Sequence, residues 1–285
     1  MISGIILLNK KQGLTSFEAL GEIKRELKTG KVGHTGTLDK FAQGLLIVLA
    51  GSSLKLSRWF SHCDKKYSGI IKFGTETDTL DPEGNIIADA QIPSREEIEK
   101  ALEKFKGSIM QAPPLYSAIH INGKRASSLA RSGQTPEMKK RPVTVYDLHL
   151  LFWEPPFAGI SVHCSSGTYI RSLARDIALE AGSRAHLCKL ERTQISGFRL
   201  EETGGGLAPV DKTVIKKINL PWFEVSHEET ENIFHGKPLE KILEGKHLYN
   251  NDSFSNSAAV FSGKNLVAVA EKIADEWKYG CVIKY

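Results

Sequence analysis

The stretch Gly33-His34-Thr35-Gly36-Thr37-Leu38-Asp39-Lys40-Phe41-Ala42-Gln43-Gly44 runs directly into Leu45-Leu46-Ile47-Val48-Leu49. A polar, glycine-rich loop carrying one imidazole and one carboxylate is thereby tied to a segment that must be buried. Such a layout sets chemical groups on a rigid support. By residue type alone the loop can supply an acid and base pair, a nucleophile with a positioning group, or a plain turn whose Asp39 caps a helix. A phosphate loop is excluded because no Gly-Lys-Ser/Thr follows the glycines. No His or Cys cluster at ligand spacing surrounds the loop to hold a metal.

Elsewhere the chain reads as alternating strands and capped helices. Thr15-Ser16-Phe17-Glu18 has capping-box spacing and predicts a helix over residues 16–27 that buries Phe17, Leu20 and Ile23. A second predicted helix covers residues 53–60. Residues 65–74 alternate as a strand with Tyr67, Gly69, Ile71 and Phe73 on one face. The acids between Glu76 and Asn85 miss the alternating ligand positions of an EF-hand, so this segment reads as a hairpin loop. Ser94-Arg95-Glu96-Glu97 opens a helix to about Phe105, and the prolines of Gln111-Ala112-Pro113-Pro114-Leu115-Tyr116-Ser117-Ala118 make a stiff, extended segment. Strands over residues 143–153 and 159–164 lead into Ser165-Ser166-Gly167-Thr168-Tyr169-Ile170-Arg171 and a helix that stops at Gly182. Arg171 is the expected partner of Asp39, since a close arginine keeps a buried carboxylate ionised and aimed; Asp176 competes for it.

Gly-His-Thr-Gly-Thr-Leu-Asp followed by Ala-x-Gly-Leu-Leu resembles the signature of the TruB family of RNA pseudouridine synthases, whose bacterial members modify uridine 55 in the T-loop of tRNA. The segment at Lys10, Gly13, Thr15 and Ser16, the Pro-Pro-x-x-Ser-Ala run, Gly167 to Asp176 and Leu187 to Thr193 are similar to further family motifs. The resemblance implies isomerisation of that uridine on a flipped-out base, with Asp39 as the essential carboxylate and Tyr67 and Arg171 as its catalytic companions. It implies that His34 fills the space vacated by the base, that Tyr169 and Leu190 line the pocket and that Lys10 reaches substrate phosphate. No cofactor and no metal are implied. A noncatalytic tRNA-binding or folding chaperone on the same scaffold is the alternative. The chain departs from the family pattern at Lys40, His120, Ser127 and Glu191.

The implied fold is α+β: the pseudouridine synthase catalytic fold over residues 1–210, a mixed, mainly antiparallel sheet flanked by helices. A small β-rich, PUA-like RNA-binding module over residues 211–285 follows the Gly204-Gly205-Gly206 joint, with strands expected at 233–239, 258–261, 266–270 and 279–283. From Asp211 onward there are 10 lysines and no arginine against 11 acids, so all the arginine and the net positive charge lie in the first part, where a polyanion would bind. Lys124, Arg125, Arg131, Lys139, Lys140 and Arg141 form the densest basic stretch. The expected partner is tRNA, through its T-loop and stem, with no membrane and no obligate protein partner. Four scattered cysteines, an apolar start too short for a signal peptide and the lack of heptads predict a cytoplasmic monomer.

Overall fold

The structure is a computed structural model that describes residues 2–121, 123–250 and 256–284. The chain forms two compact units, one of Met1–Leu38, Gly44–Cys63 and Gln194–Tyr285, the other of Asp39–Gln43 and Asp64–Thr193.

In the first unit, strands β1 (Gly4–Lys10) and β2 (Val32–His34) both pair with β3 (Gln43–Ala50). Because β1 occupies one edge of β3 from Gly44 to Ala50, β2 takes the other edge, ending on His34 opposite Val48. The apolar run now has its reason. Leu45, Ile47 and Leu49 pack with Ile5, Phe60, Ile195 and Phe198, whereas Leu46, Val48 and Ala50 pack with Leu20, Ile23 and Val32. A strand covered on both faces needs apolar residues at every position, not at alternate ones.

The helix expected over residues 16–27 is shorter, a 3-10 turn at Glu18–Leu20 followed by α1 (Gly21–Glu26), and Phe17 is 70% exposed instead of buried. Its capping box is nevertheless made: the Glu18 N–H donates to Thr15 Oγ1 at 3.2 Å and the Thr15 N–H to the Glu18 carboxylate at 2.8 Å. Gly21, a weak helix former, stands where the turn gives way to α-helix. A second 3-10 segment (Gly51–Leu56) and α2 (Ser57–Ser61) cover the second predicted helix.

The second unit contains β4 (Lys65–Phe73), the β5–β6 hairpin (Thr75–Thr77 and Ile86–Asp89), α3 (Arg95–Lys104), β7 (Gly107–Gln111), the β8–β9 hairpin (His120–Ile121 and Lys124–Arg125) and α4 (Ala126–Arg131). It continues through β10 (Arg141–Glu154), β11 (Phe157–Cys164), α5 (Ile170–Glu180) and β12 (Ala185–Ile195). Its sheet runs in the order β12-β4-β11-β10-β7, with antiparallel pairing from β4 to β7. The predicted face of β4 is the buried one, and α3 packs on both α5 and β10. The full capping box at Ser94 and Glu97 forms as its spacing requires.

After β13 (Phe198–Arg199) and α6 (Lys212–Lys217), the first unit ends in a sheet of β14 (Trp222–Glu224), β15 (Ser257–Ser262), β16 (Asn265–Ile273) and β17 (Glu276–Val282), with β14 parallel to β15. The segment 233–239 is not a strand. It holds the end of α7 (His227–Phe234), a turn at Gly236 with φ +74° and the start of α8 (Leu239–Leu243). The missed signal was Ser226 with Glu229, a third capping box that opens α7. Ile215, Leu220, Ala259 and Phe261 share a hydrophobic cluster with Ile5, Leu45 and Ile47, so this tail and the first strands bury one another. Among the described residues no helix is long and apolar enough to cross a membrane.

Candidate active site

Asp39 opens the second unit, and the residue before it is gripped. Ser16, 3% exposed, accepts the Leu38 N–H at 2.8 Å and donates its hydroxyl to the Leu38 carbonyl at 3.0 Å. A short side chain thus does for one peptide what a neighbouring strand would do.

Arg171 is the second residue of α5, and its guanidinium is heavily bonded. Nε lies 2.9 Å from Asp39 Oδ2, and the same edge donates through Nη2 to Asp39 Oδ1 at 3.1 Å. Nη2 also donates to the Tyr116 carbonyl at 3.0 Å. From Nη1 go bonds to the Thr79 carbonyl at 2.7 Å and to Asp81 Oδ2 at 3.0 Å. Exposure separates the two acids: the Asp39 side chain is 36% exposed, that of Asp81 only 7%. The fork therefore presents one carboxylate, ionised and fixed in direction, where a substrate can reach it, and uses the other as a buried counterweight. Asp176, the competing partner, pairs with Arg175 instead.

Asp81 is the site residue that sequence reasoning passed over as a turn acid. The turn is unusual in a way that pattern does not reveal: the preceding Leu80 sits at φ +60°, a left-handed conformation costly for a leucine, on the order of 1–3 kcal/mol. Surrounding bonds hold it there. Leu80 N–H donates to the Thr77 carbonyl at 3.0 Å, Leu187 N–H to the Leu80 carbonyl at 3.1 Å, and Thr77 and Thr79 hydroxyls to Asp81 at 2.7 and 2.6 Å.

Tyr67 lies on the buried face of β4, 8% exposed, hydrogen-bonded to the fully buried Arg192 of β12. Burial pushes the Tyr67 phenol up, and the neighbouring guanidinium only partly offsets this, so Tyr67 is a neutral phenol near pH 7. Arg192, the second group not singled out, is itself pushed down by burial, opposed by its contact with Tyr67. Leu190, 8% exposed, lies near Gly69, where a Cβ would meet its Cδ1 at 3.6 Å and Leu187 and the Lys189 carbonyl at 3.3 Å. Tyr169 caps α5 from an extended conformation, φ −99° and ψ 111°.

Two predicted residues belong to the first unit. His34 ends β2, half-buried, immediately before the loop. Lys10 is fully buried, with its ammonium donating to the carbonyls of Leu14 at 2.7 Å and Lys11 at 3.1 Å, a placement that closes its own turn. Of the departures, Lys40 and His120 are exposed, and Ser127 donates its N–H to the Ser117 carbonyl. Glu191 accepts from Gln43 at 2.8 Å, which ties β12 to the end of the signature loop. Among the described residues no three His, Cys, Asp or Glu side chains gather as metal ligands.

The arrangement suits attack or proton removal by a lone carboxylate, with the Tyr67 phenol within electrostatic reach of it. Hydrolysis by two exposed acids is a poor fit, because Asp81 is covered.

Two expectations follow. Replacing Asp81 by alanine strips a buried partner from Arg171, costing about 3 kcal/mol in urea unfolding. Since the folded Tyr67 pKa exceeds the unfolded one, its contribution is constant below about pH 10 and lost above it as the unfolded chain ionises first. As pH rises above about 10, wild-type stability should therefore fall more steeply than that of Tyr67→Phe.

The sequence profile described as TruB family pseudouridylate synthase (N terminal domain) matches residues 24–170. A tRNA pseudouridine synthase B of Borreliella burgdorferi (strain ZS7) is 47% identical over 206 residues, 71% of this chain and 73% of its own. One from Francisella philomiragia subsp. philomiragia is 37% identical over 281 residues, 95% of this chain and 91% of its own. Among solved structures, a chain of a Cbf5-Nop10-Gar1 complex aligns with a TM-score of 0.70 at 23% identity, covering 99% of this chain and 83% of that one, a likeness of fold.

Proposed function

This chain belongs to the TruB family of pseudouridylate synthases, and on that basis we propose that it isomerises uridine 55 in the T-loop of tRNA to pseudouridine. The observation that carries the reading is the Arg171 fork on Asp39, which keeps one reachable carboxylate ionised. In the reaction the N1–C1′ glycosidic bond breaks, the uracil turns in its pocket and C5 bonds to C1′, with a proton lost from C5 and one gained at N1. Atoms balance without oxidant, water or cofactor.

Asp39 is the catalytic carboxylate, attacking C1′ or removing the 2′ proton. Tyr67 stacks on the base, Tyr169 and Leu190 line the pocket, and Arg171 orients Asp39. Extruding a stacked base costs on the order of a few kcal/mol, and His34 offsets part of that by occupying the vacated space. Lys10 serves this site indirectly, by closing the turn that leads to Ser16, in place of the phosphate contact that the family pattern implies.

Residues 1–210 form the catalytic domain and residues 211–285 a PUA-like RNA-binding module. The exposed Lys124, Arg125, Arg131, Lys139 and Lys140 meet tRNA phosphate. The protein acts in the cytoplasm as a monomer without an obligate protein partner.

Tritium release from a tRNA transcript carrying 5-tritiated uridine, with chelator present, tests this reading. The wild type releases tritium, and Asp39→Ala does not while still binding the transcript. Binding by both proteins with release by neither would overturn catalysis and leave a tRNA-binding protein.

A further inference from the structure

Tyr169 caps α5 without a side-chain cap of its own. Its peptide is instead held by Gln111, the last residue of β7, which is 1% exposed. The Tyr169 N–H donates to Gln111 Oε1 at 2.8 Å, and Gln111 Nε2 donates back to the Tyr169 carbonyl at 3.1 Å. Only a carboxamide in this one orientation satisfies both groups at once.

The chain that follows Gln111 holds the same helix at two more points. Arg175 Nη2 donates to the Ala112 carbonyl at 3.3 Å, and Arg171 Nη2 donates to the Tyr116 carbonyl at 3.0 Å. Between them Pro113 and Pro114, both buried, limit the backbone's freedom. Gln111 also pairs across strands with Arg141, whose guanidinium lies 5.0 Å from the Tyr169 ring centroid and donates to the Gly167 carbonyl at 2.5 Å. Both the peptide and the ring of Tyr169 are thus held from one β7–β10 rung.

We propose that Gln111 is a positioning residue for the isomerisation, fixing the strand-to-helix junction from which Tyr169 enters the pocket and Arg171 aims Asp39. This rests on the functional reading above. Gln111 touches no reacting atom; it acts two residues upstream of the guanidinium that does the aiming. Misplacement of a reacting group by about 1 Å can cost on the order of 10²-fold in rate, so loss of the clamp registers in chemistry before it registers in binding.

The test compares wild type, Gln111→Met and Gln111→Glu in single-turnover tritium release and in binding of the same tRNA transcript. Methionine keeps the length and burial while removing both bonds, and a rate about 10- to 100-fold lower with unchanged tRNA affinity is expected. Glutamate keeps the acceptor but sets a carboxylate against the Tyr169 carbonyl. Burial raises its pKa, so protonation on acidification restores a donor, and its rate relative to wild type should rise as pH falls. That recovery is readable even if the methionine variant folds poorly, and a packing role alone would not produce it. A wild-type rate in Gln111→Met, or a Gln111→Glu deficit that does not change with pH, would overturn the positioning role. Absence of release from the wild type would instead strike the functional reading on which the role depends.

Discussion

One guanidinium shared between two carboxylates governs how this site is put together. A buried arginine must find partners for several donors at once, and Arg171 finds two acids and two carbonyls. One guanidinium meets two carboxyl groups, and the geometry assigns the buried position to Asp81 and the reachable one to Asp39. The partners arrive from three pieces of chain, the signature loop, the strained turn at Leu80 and the Pro-Pro segment, and meet the guanidinium at the start of α5. The site is only as well defined as the local devices that hold those pieces.

Those devices share a physical form. Ser16 grips the Leu38 peptide and Gln111 grips the Tyr169 peptide, each by giving and taking one hydrogen bond. A residue held at both its N–H and its carbonyl has both flanking peptide planes fixed, and the residue beside it inherits that constraint. Tyr67 is fixed differently, by burial on a strand, which keeps its phenol neutral, and by its hydrogen bond with Arg192.

Much of this was legible in the sequence because it depends on spacing. The alternation of β4 and the capping box of α3 follow from local rules, and each appears where its residues require. The pairing of Arg171 with Asp39 spans 132 residues and was reached through chemistry and resemblance, not periodicity. Asp81 was illegible because Asp-Pro-Glu-Gly is equally a solvent-exposed turn, and nothing local announces that Leu80 adopts φ +60°. Burial of Lys10 was hidden for a related reason, since a lysine beside a turn gives no sign of whether carbonyls or water receive its ammonium. The helices over 233–239 were missed because short apolar runs do not distinguish strand from helix, while the cap that decides the matter lies upstream at Ser226.

The most direct test of the shared guanidinium is the single-turnover rate of Arg171→Lys on tRNA. Lysine keeps the positive charge but has no planar fork with which to span both Asp39 oxygens and Asp81. If aiming matters and not charge alone, the rate falls by about 10²-fold or more while tRNA binding holds. A rate close to wild type would contradict the account, because any cation near Asp39 would then suffice.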